Sequence, residues 1–185
     1  KIETRKNGSI RIYDNEEAVK QFLLDMIANP PHIRRDRNFE VSSCCAIYRK
    51  DTINRNNIKF HSERELISED LIFNVDFLVY SKCVVYFETP FYHYRINQKS
   101  LSSTVRMDRI ERNCQLYRFC IEQANTYGLG REAQSRFMRL LIGYNRSAIK
   151  QLCTSNLDYS KKKKWLKSVC NDSIWTQLSD DYPIE

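Results

Sequence analysis

A chain of 185 residues holds one ordinary domain or two small ones, and with 42% hydrophobic and 29% charged residues it is globular rather than disordered. Four glycines and four prolines disfavour a loop-rich all-β fold, and no apolar run approaches the roughly 18 residues that span a bilayer. The formal net charge of +7 suits nucleic acid, anionic lipid surfaces or phosphorylated substrates, beside the plainer reading of a soluble basic surface.

In chain order, residues 9–13 alternate as a short strand. Asp14-Asn15-Glu16-Glu17 then opens a helix, with a capping residue and acids in the first turn. Val19, Phe22, Leu23, Met26 and Ile27 recur at helical spacing as far as Ala28, and Pro30-Pro31 stops the helix. Residues 32–39, HIRRDRNF, have no period and read as a mobile loop. Residues 40–48 read as a strand that sets Cys44 and Cys45 on opposite faces. Asp51 caps a short helix through Asn57, residues 58–60 are briefly extended, and 61–67 form a charged loop. Ser68 caps the next helix, which runs to about Tyr80 with Leu71, Ile72, Val75, Leu78 and Val79 on its buried side. Residues 83–88 form an apolar strand ended at Pro90, and residues 92–96 a second strand paired with it.

After Thr104 the pattern becomes helical. Residues 106–127 carry Ile110, Cys114, Tyr117, Ile121 and Ala124 at helical spacing. Gly128 and Gly130 punctuate, and residues 131–153 place Phe137, Leu140, Leu141, Tyr144, Ala148, Ile149 and Leu152 on one stripe. Both stripes are wide enough to cover a sheet. Residues 160–169 and 173–178 are shorter helices. A soft boundary near residue 105 divides the chain into an α+β portion, 1–105, and a helical region, 106–185.

Seven cysteines, an odd number without framework spacing or a CxxC pair, and three scattered histidines argue against zinc. Reduced, mostly buried thiols are the expectation. No nucleic-acid-binding motif accompanies the positive charge. The basic residues are scattered apart from Arg34-Arg35-Arg37 and Lys161 to Lys164. The lysine run opens a helix bearing Trp165, Leu166 and Val169. It is either a solvated face or a dock for anionic lipid.

Three pieces follow one another in a set order: IYRKDTI…IKF (47–60), SEDLIFNVDFL (68–78) and VVYFETPFYHYRINQKSLS (84–102). The set resembles the acceptor-side half of inverting family-two glycosyltransferases with the GT-A fold, over residues 8–105. The resemblance implies an α+β fold: a partial GT-A-like mixed sheet with helices, followed by the helical C-terminal region. By itself Ser-Glu-Asp is an ordinary helix start. Within the resemblance Asp70 is the catalytic base and Glu69 its neighbour, which contacts acceptor or supports the loop. The Tyr-Arg-x-Asn tract, residues 94–97, maps to a segment that closes over the donor diphosphate, with Arg95, His93, Ser100 and Ser102 as the candidate ligands. Tyr92 and Tyr94, two residues apart on one strand face, are candidates to stack on the acceptor sugar. The plain alternatives are a surface Arg95, a half-exposed strand His93, core packing for the tyrosines and an ordinary serine-rich loop.

One family feature is missing from this sequence. The DxD element that holds the metal and the sugar nucleotide does not occur, and Asp180-Asp181 lies in a C-terminal tail. The chain is therefore expected to be the C-terminal piece of a glycosyltransferase of surface polysaccharide or glycan assembly, inactive alone. The full-length enzyme would use a divalent metal, Mg or Mn, with none expected in this piece. Its implied partners are a nucleotide-sugar donor, a saccharide or lipid-linked acceptor and the N-terminal half of the same chain, and not nucleic acid. Peripheral membrane contact and homo-oligomers are open to it. The implied location is cytoplasmic, with the inner face of the membrane as its finer form. Two other readings stand beside this one: a non-enzymatic helical domain in which 106–185 bind a protein, and a basic nucleic-acid-binding module.

Overall fold

The computed structural model describes residues 10–89, 92–93 and 105–182. The elements are β1 (Ile10–Tyr13), α1 (Glu16–Ile27), a 3-10 turn (Ser43–Cys45), α2 (Lys50–Arg55), α3 (Glu69–Val79), β2 (Val84–Phe87), α4 (Arg109–Thr126), α5 (Gly130–Thr154), α6 (Tyr159–Cys170) and α7 (Ile174–Asp181). The described residues are mostly helical with one small antiparallel sheet, an α+β arrangement at its coarsest.

Local chemistry explains where the helices begin and end. Asn15 accepts a hydrogen bond from the Ala18 amide at 2.9 Å, and Glu16 and Glu17 fill the first turn of α1, where negative charge is favoured. The turn between α4 and α5 needs left-handed backbone at Gly128 (φ 63°) and Gly130 (φ 80°), which glycine adopts without a Cβ clash. Lys162 donates to the carbonyls of Cys153 and Ser155, at 3.0 and 2.6 Å, and so satisfies the open C-terminal end of α5. One of the four run lysines thus has a structural role.

Two apolar clusters hold the helices together. The first joins α1, α3, α4 and α5 through Leu23, Ile27, Leu71, Val75, Leu116 and Phe137, and so draws on both sides of residue 105. The second joins the far ends of α4 and α5 to α6 and α7 through Ile110, Leu141, Leu152, Trp165, Val169 and Ile174. Arg136, 3% exposed, fastens α5 to the end of α1. It donates to the Ala28 carbonyl at 2.6 Å and pairs with Asp25 at 3.2 Å and Glu132 at 2.9 Å, so its charge is not left uncompensated.

β1 and β2 pair antiparallel, with Ile10 opposite Phe87 and Tyr13 opposite Val84. Tyr13, Val84 and Tyr86 face the first cluster, where Phe22 and Phe39 bridge the rings of Tyr13 and Tyr86 at centroid distances of 4.7 to 5.0 Å. The outward residues Ile10, Ile12, Val85 and Phe87 are 46 to 64% exposed. The α4 and α5 stripes therefore cover α1 and α3 rather than this sheet face.

Several local expectations are corrected. Residues 40–48 form no strand: the Val41 carbonyl accepts from the Asn74 side chain at 2.8 Å, and the backbone then turns at 43–45. Cys44 and Cys45 both lie exposed in that turn instead of alternating. Only Cys114 and Cys120 are buried, so the thiols are free but mostly exposed. Residues 58–60 are not part of a sheet, and Tyr92 and His93 are not in a strand. The remainder of the expected 92–96 strand lies outside the described residues. β2 takes β1 as its partner instead. Ser68 does not cap α3 with its side chain, and residues 32–39 are tied down rather than loose.

A buried amide pair lies between α4 and α5. Asn113 donates through Nδ2 to Asn145 Oδ1 at 2.7 Å, each residue being 1% exposed, while Asn113 Oδ1 and Asn145 Nδ2 find no partner among the described residues. Asn113→Leu should cost about 1–3 kcal/mol, because it strands the second amide in an apolar seam. Asn113→Leu/Asn145→Leu together should recover most of that loss, as urea denaturation midpoints would show. A double variant as unstable as the single one would mean that the amides set the helix register.

Candidate active site at the start of α3

The sequence feature that carries most chemistry is Ser68-Glu69-Asp70, and the structure builds a polar site around it. Ser68 adopts left-handed backbone (φ 59°, ψ 43°), which costs a non-glycine residue about 1 kcal/mol or more. Its hydroxyl points away from the helix and donates to the Tyr144 phenol oxygen on α5 at 3.3 Å. The strained step aims the first turn of α3, with Glu69 and Asp70, at the 3-10 turn. There the Ser43 hydroxyl donates to Asp70 Oδ1. Asp70 is half-buried, and its Oδ2 receives no hydrogen bond from any described residue. One carboxylate oxygen is held and the other stays available, beside the positive end of a helix dipole.

A second layer fixes the segment that carries Ser43. Asn74, one helical turn beyond Asp70 and 7% exposed, donates to the Val41 carbonyl at 2.8 Å and accepts from the Tyr48 hydroxyl at 2.6 Å. The Tyr48 ring packs edge-on against Phe73 and Phe77, at 5.1 and 4.9 Å. Burial first, and then the negative charge of Asp70, push the Tyr48 phenol up to about 12, so it remains a neutral donor. Glu69 titrates above the ordinary carboxylate range, chiefly because burial disfavours its charge and then because Asp70 and Glu63 repel it. The two carboxylates of the pair therefore have different surroundings. Asp70 accepts a hydroxyl hydrogen bond, whereas burial raises the titration of Glu69.

Asp76, on the same helix, shows the same burial effect at a second place. It accepts from the Tyr127 hydroxyl at 2.9 Å, yet burial raises its titration above the ordinary range. A carboxyl whose folded value is raised is penalised once ionised. Its contribution to stability falls as pH rises from the unfolded carboxylate range through the folded value. Asp76→Asn keeps an acceptor for Tyr127 and should flatten this fall. Melting temperatures of the two proteins across about pH 3.5 to 7 would show it, the wild type losing more than the variant on going up. Parallel curves would mean that Asp76 contributes nothing to the slope.

Of the other residues expected at the site, Tyr92 and His93 lie exposed beyond the end of β2. Tyr94, Arg95, Ser100 and Ser102 lie outside the described residues. Only Glu69 and Asp70 of the expected set are thus seen together. Ser43, Tyr48, Asn74 and Tyr144 join them without having been singled out for this role. Asn74 was open to detection, being the one amide on the otherwise apolar stripe Leu71, Ile72, Val75 and Leu78 of α3. The divalent metal implied by the resemblance finds no fit among the described residues, where no three His, Cys, Asp or Glu gather to hold an ion. No helix among the described residues is long and apolar enough to cross a membrane. No family model matches the chain, and neither a curated protein nor a solved structure matches it.

Proposed function

We propose that these residues form the acceptor side of an inverting glycosyltransferase of the GT-A type, with Asp70 as its general base. The observation that carries the reading is the Asp70 carboxylate. It is half-buried at a helix start, fixed through Oδ1 by Ser43, and has Oδ2 free to take a proton. In the reaction the acceptor hydroxyl gives its proton to Oδ2 while its oxygen attacks the anomeric carbon of the sugar nucleotide. The bond from that carbon to the diphosphate oxygen breaks, and the diphosphate leaves with the electron pair. Attack from the face opposite the leaving group inverts the anomeric centre. A positioned base supplies about 10²- to 10⁴-fold of such a rate. Glu69, beside Asp70 in the first turn of α3, is the candidate hydrogen-bond contact to the acceptor hydroxyl.

Donor recognition is assigned to residues of the full-length enzyme outside the described set, including Arg95, Ser100 and Ser102, together with the metal-holding element expected upstream. The finer location, the inner face of the membrane, rests on the exposed Lys161, Lys163 and Lys164 of α6. The test is stereochemical. The full-length protein, screened with nucleotide sugars and saccharide acceptors, should release nucleoside diphosphate only when an acceptor is present. Its product should have the anomeric configuration opposite to the donor's by NMR. Retention would remove a single-base mechanism, and acceptor-independent behaviour across the screen would remove the transferase reading.

A further inference from the structure

Residues 30–38 join α1 to the segment carrying Ser43, and their backbone is held from inside by two polar side chains. Asn29, 1% exposed, donates from its amide N–H to the Asp36 carbonyl at 2.7 Å and from its side chain to the Arg35 carbonyl at 2.9 Å. It also exchanges side-chain hydrogen bonds with Asn38, at 2.8 and 3.2 Å. Arg139 of α5 donates to the carbonyls of Pro31, Ile33 and Arg34, at 3.1, 2.8 and 3.3 Å. Asp36, the one acid of the segment, lies over Gly143, where a Cβ would stand 3.5 Å from its carboxylate. Arg139 (3.5 Å) and Arg146 both pair with it. Asp36 is thereby neutralised twice over, from one face of α5.

The other three charged side chains of the segment are all cationic. Arg34 and Arg35 are exposed and Arg37 is half-buried, and none of the three has a hydrogen bond or ion pair among the described residues. Arg37 is the best placed of them. Its guanidinium lies 5.5 Å from the centre of the Tyr144 ring, and the hydroxyl of that tyrosine touches Ser68, next to Glu69 and Asp70. A pinned backbone, a cancelled acid and three arginines without an ion pair among the described residues, one of them over the Tyr144 ring, mark the segment as a candidate anion site. Guanidinium forks match phosphate oxygens two at a time, which a scattered basic surface does not.

We infer that the Arg34–Arg35–Arg37 segment is a binding site for the diphosphate group of a soluble ligand. The inference stands on the segment's own geometry and survives failure of the transferase reading, because it needs binding and not turnover. Its test titrates inorganic pyrophosphate into the 185-residue chain at low salt, read by NMR shifts of the backbone and Arg Nε signals of residues 34–37. Saturable binding at about millimolar or tighter is expected, weakening as salt screens it. Arg34→Gln/Arg35→Gln/Arg37→Gln should weaken it at least about tenfold, since none of these side chains makes a hydrogen bond or ion pair among the described residues that the substitution would break. Lys161→Gln/Lys163→Gln/Lys164→Gln removes the same charge from α6 and should leave it unchanged. Arg139→Met keeps the three arginines but frees the backbone, and should weaken binding through lost preorganisation. No saturation by about 10 mM, or equal loss in the lysine variant, would overturn the site. Arginine-dependent capture of the chain by phosphatidylglycerol vesicles would overturn the soluble ligand in favour of a headgroup.

Discussion

In the proposed transferase, Asp70→Asn is expected to lower kcat by about 10²- to 10⁴-fold while KM and the melting temperature stay near the parent values. The substitution is isosteric, and its Oδ1 still accepts from Ser43, so the short turn and α3 keep their contact. Asp70 is only half-buried and pairs with no cation among the described residues, which leaves no ion pair to lose. What disappears is the capacity to take the acceptor proton, needed only in the transition state, and a loss in kcat alone is its kinetic sign. Ser43→Ala makes a graded companion. It leaves the base but lets the carboxylate rotate, so its effect should stay within about 10²-fold, the scale of imperfect positioning, and below that of Asp70→Asn. Full activity in the Asn variant would exclude Asp70 from the mechanism. Equal losses in both variants would point to a collapsed turn instead.

The helices were largely legible in the sequence because their determinants are local. Asn15 with Glu16 and Glu17 marks the start of α1, and Pro30-Pro31 follows its end. The α5 stripe from Phe137 to Leu152 predicts its buried face in the structure closely. The strands were less legible. Residues 40–48 carry strand-like residue types, but their backbone finds partners in the side chains of α3 rather than in a neighbouring strand, and nothing in the segment announces this. The partner of β2 is likewise non-local: Tyr86 stacks toward Phe39 and Phe22, and β1 lies over 70 residues earlier in the chain.

The candidate site divides in the same way. The acidic pair was readable as a helix start, and the resemblance gave it a role. The residues that shape it come from three other places in the chain: Ser43 and Tyr48 from an irregular segment, Asn74 from inside α3, and Tyr144 from α5. Tyr144 was placed on the core stripe, and its ring does belong there, but its hydroxyl also reaches Ser68 and its face meets Arg37. Aromatic side chains with a polar tip permit both roles at once, and periodicity reports only the first. The loop at 32–39 was misread for a related reason. Its aperiodic sequence carries no signal of the carbonyl bonds that Asn29 and Arg139 supply from outside it.

Phe137→Ala should cost about 3–5 kcal/mol, a large share of the 5–15 kcal/mol that holds a domain of this kind. Phe137 is 1% exposed on α5 and belongs to the cluster that also contains Leu23 and Ile27 of α1 and Leu71 and Val75 of α3. A recess of about 10 Å³ already adjoins its ring, lined by Ile72, Val75, Asp76, Phe119, Cys120 and Gln123. Truncation of the ring enlarges this space and removes the packing contacts of the surrounding side chains, a loss that the neighbours recover only in part. The consequence for the whole chain is the sharper test. Because this one cluster spans residue 105, β1, α1 and α3 should unfold together with α4 and α5. Fluorescence of Trp165 and Trp175, both at the second cluster, and hydrogen exchange at Leu23 and Leu71 should then give one midpoint in denaturant within each protein, moved down in the variant. The same packing implies that residues 1–105 alone expose the α1 and α3 faces and aggregate. A soluble, cooperatively folded 1–105, or separate midpoints for the two halves, would show that the helices after residue 105 are an independent module. The protein-binding reading of that module would then be the stronger one.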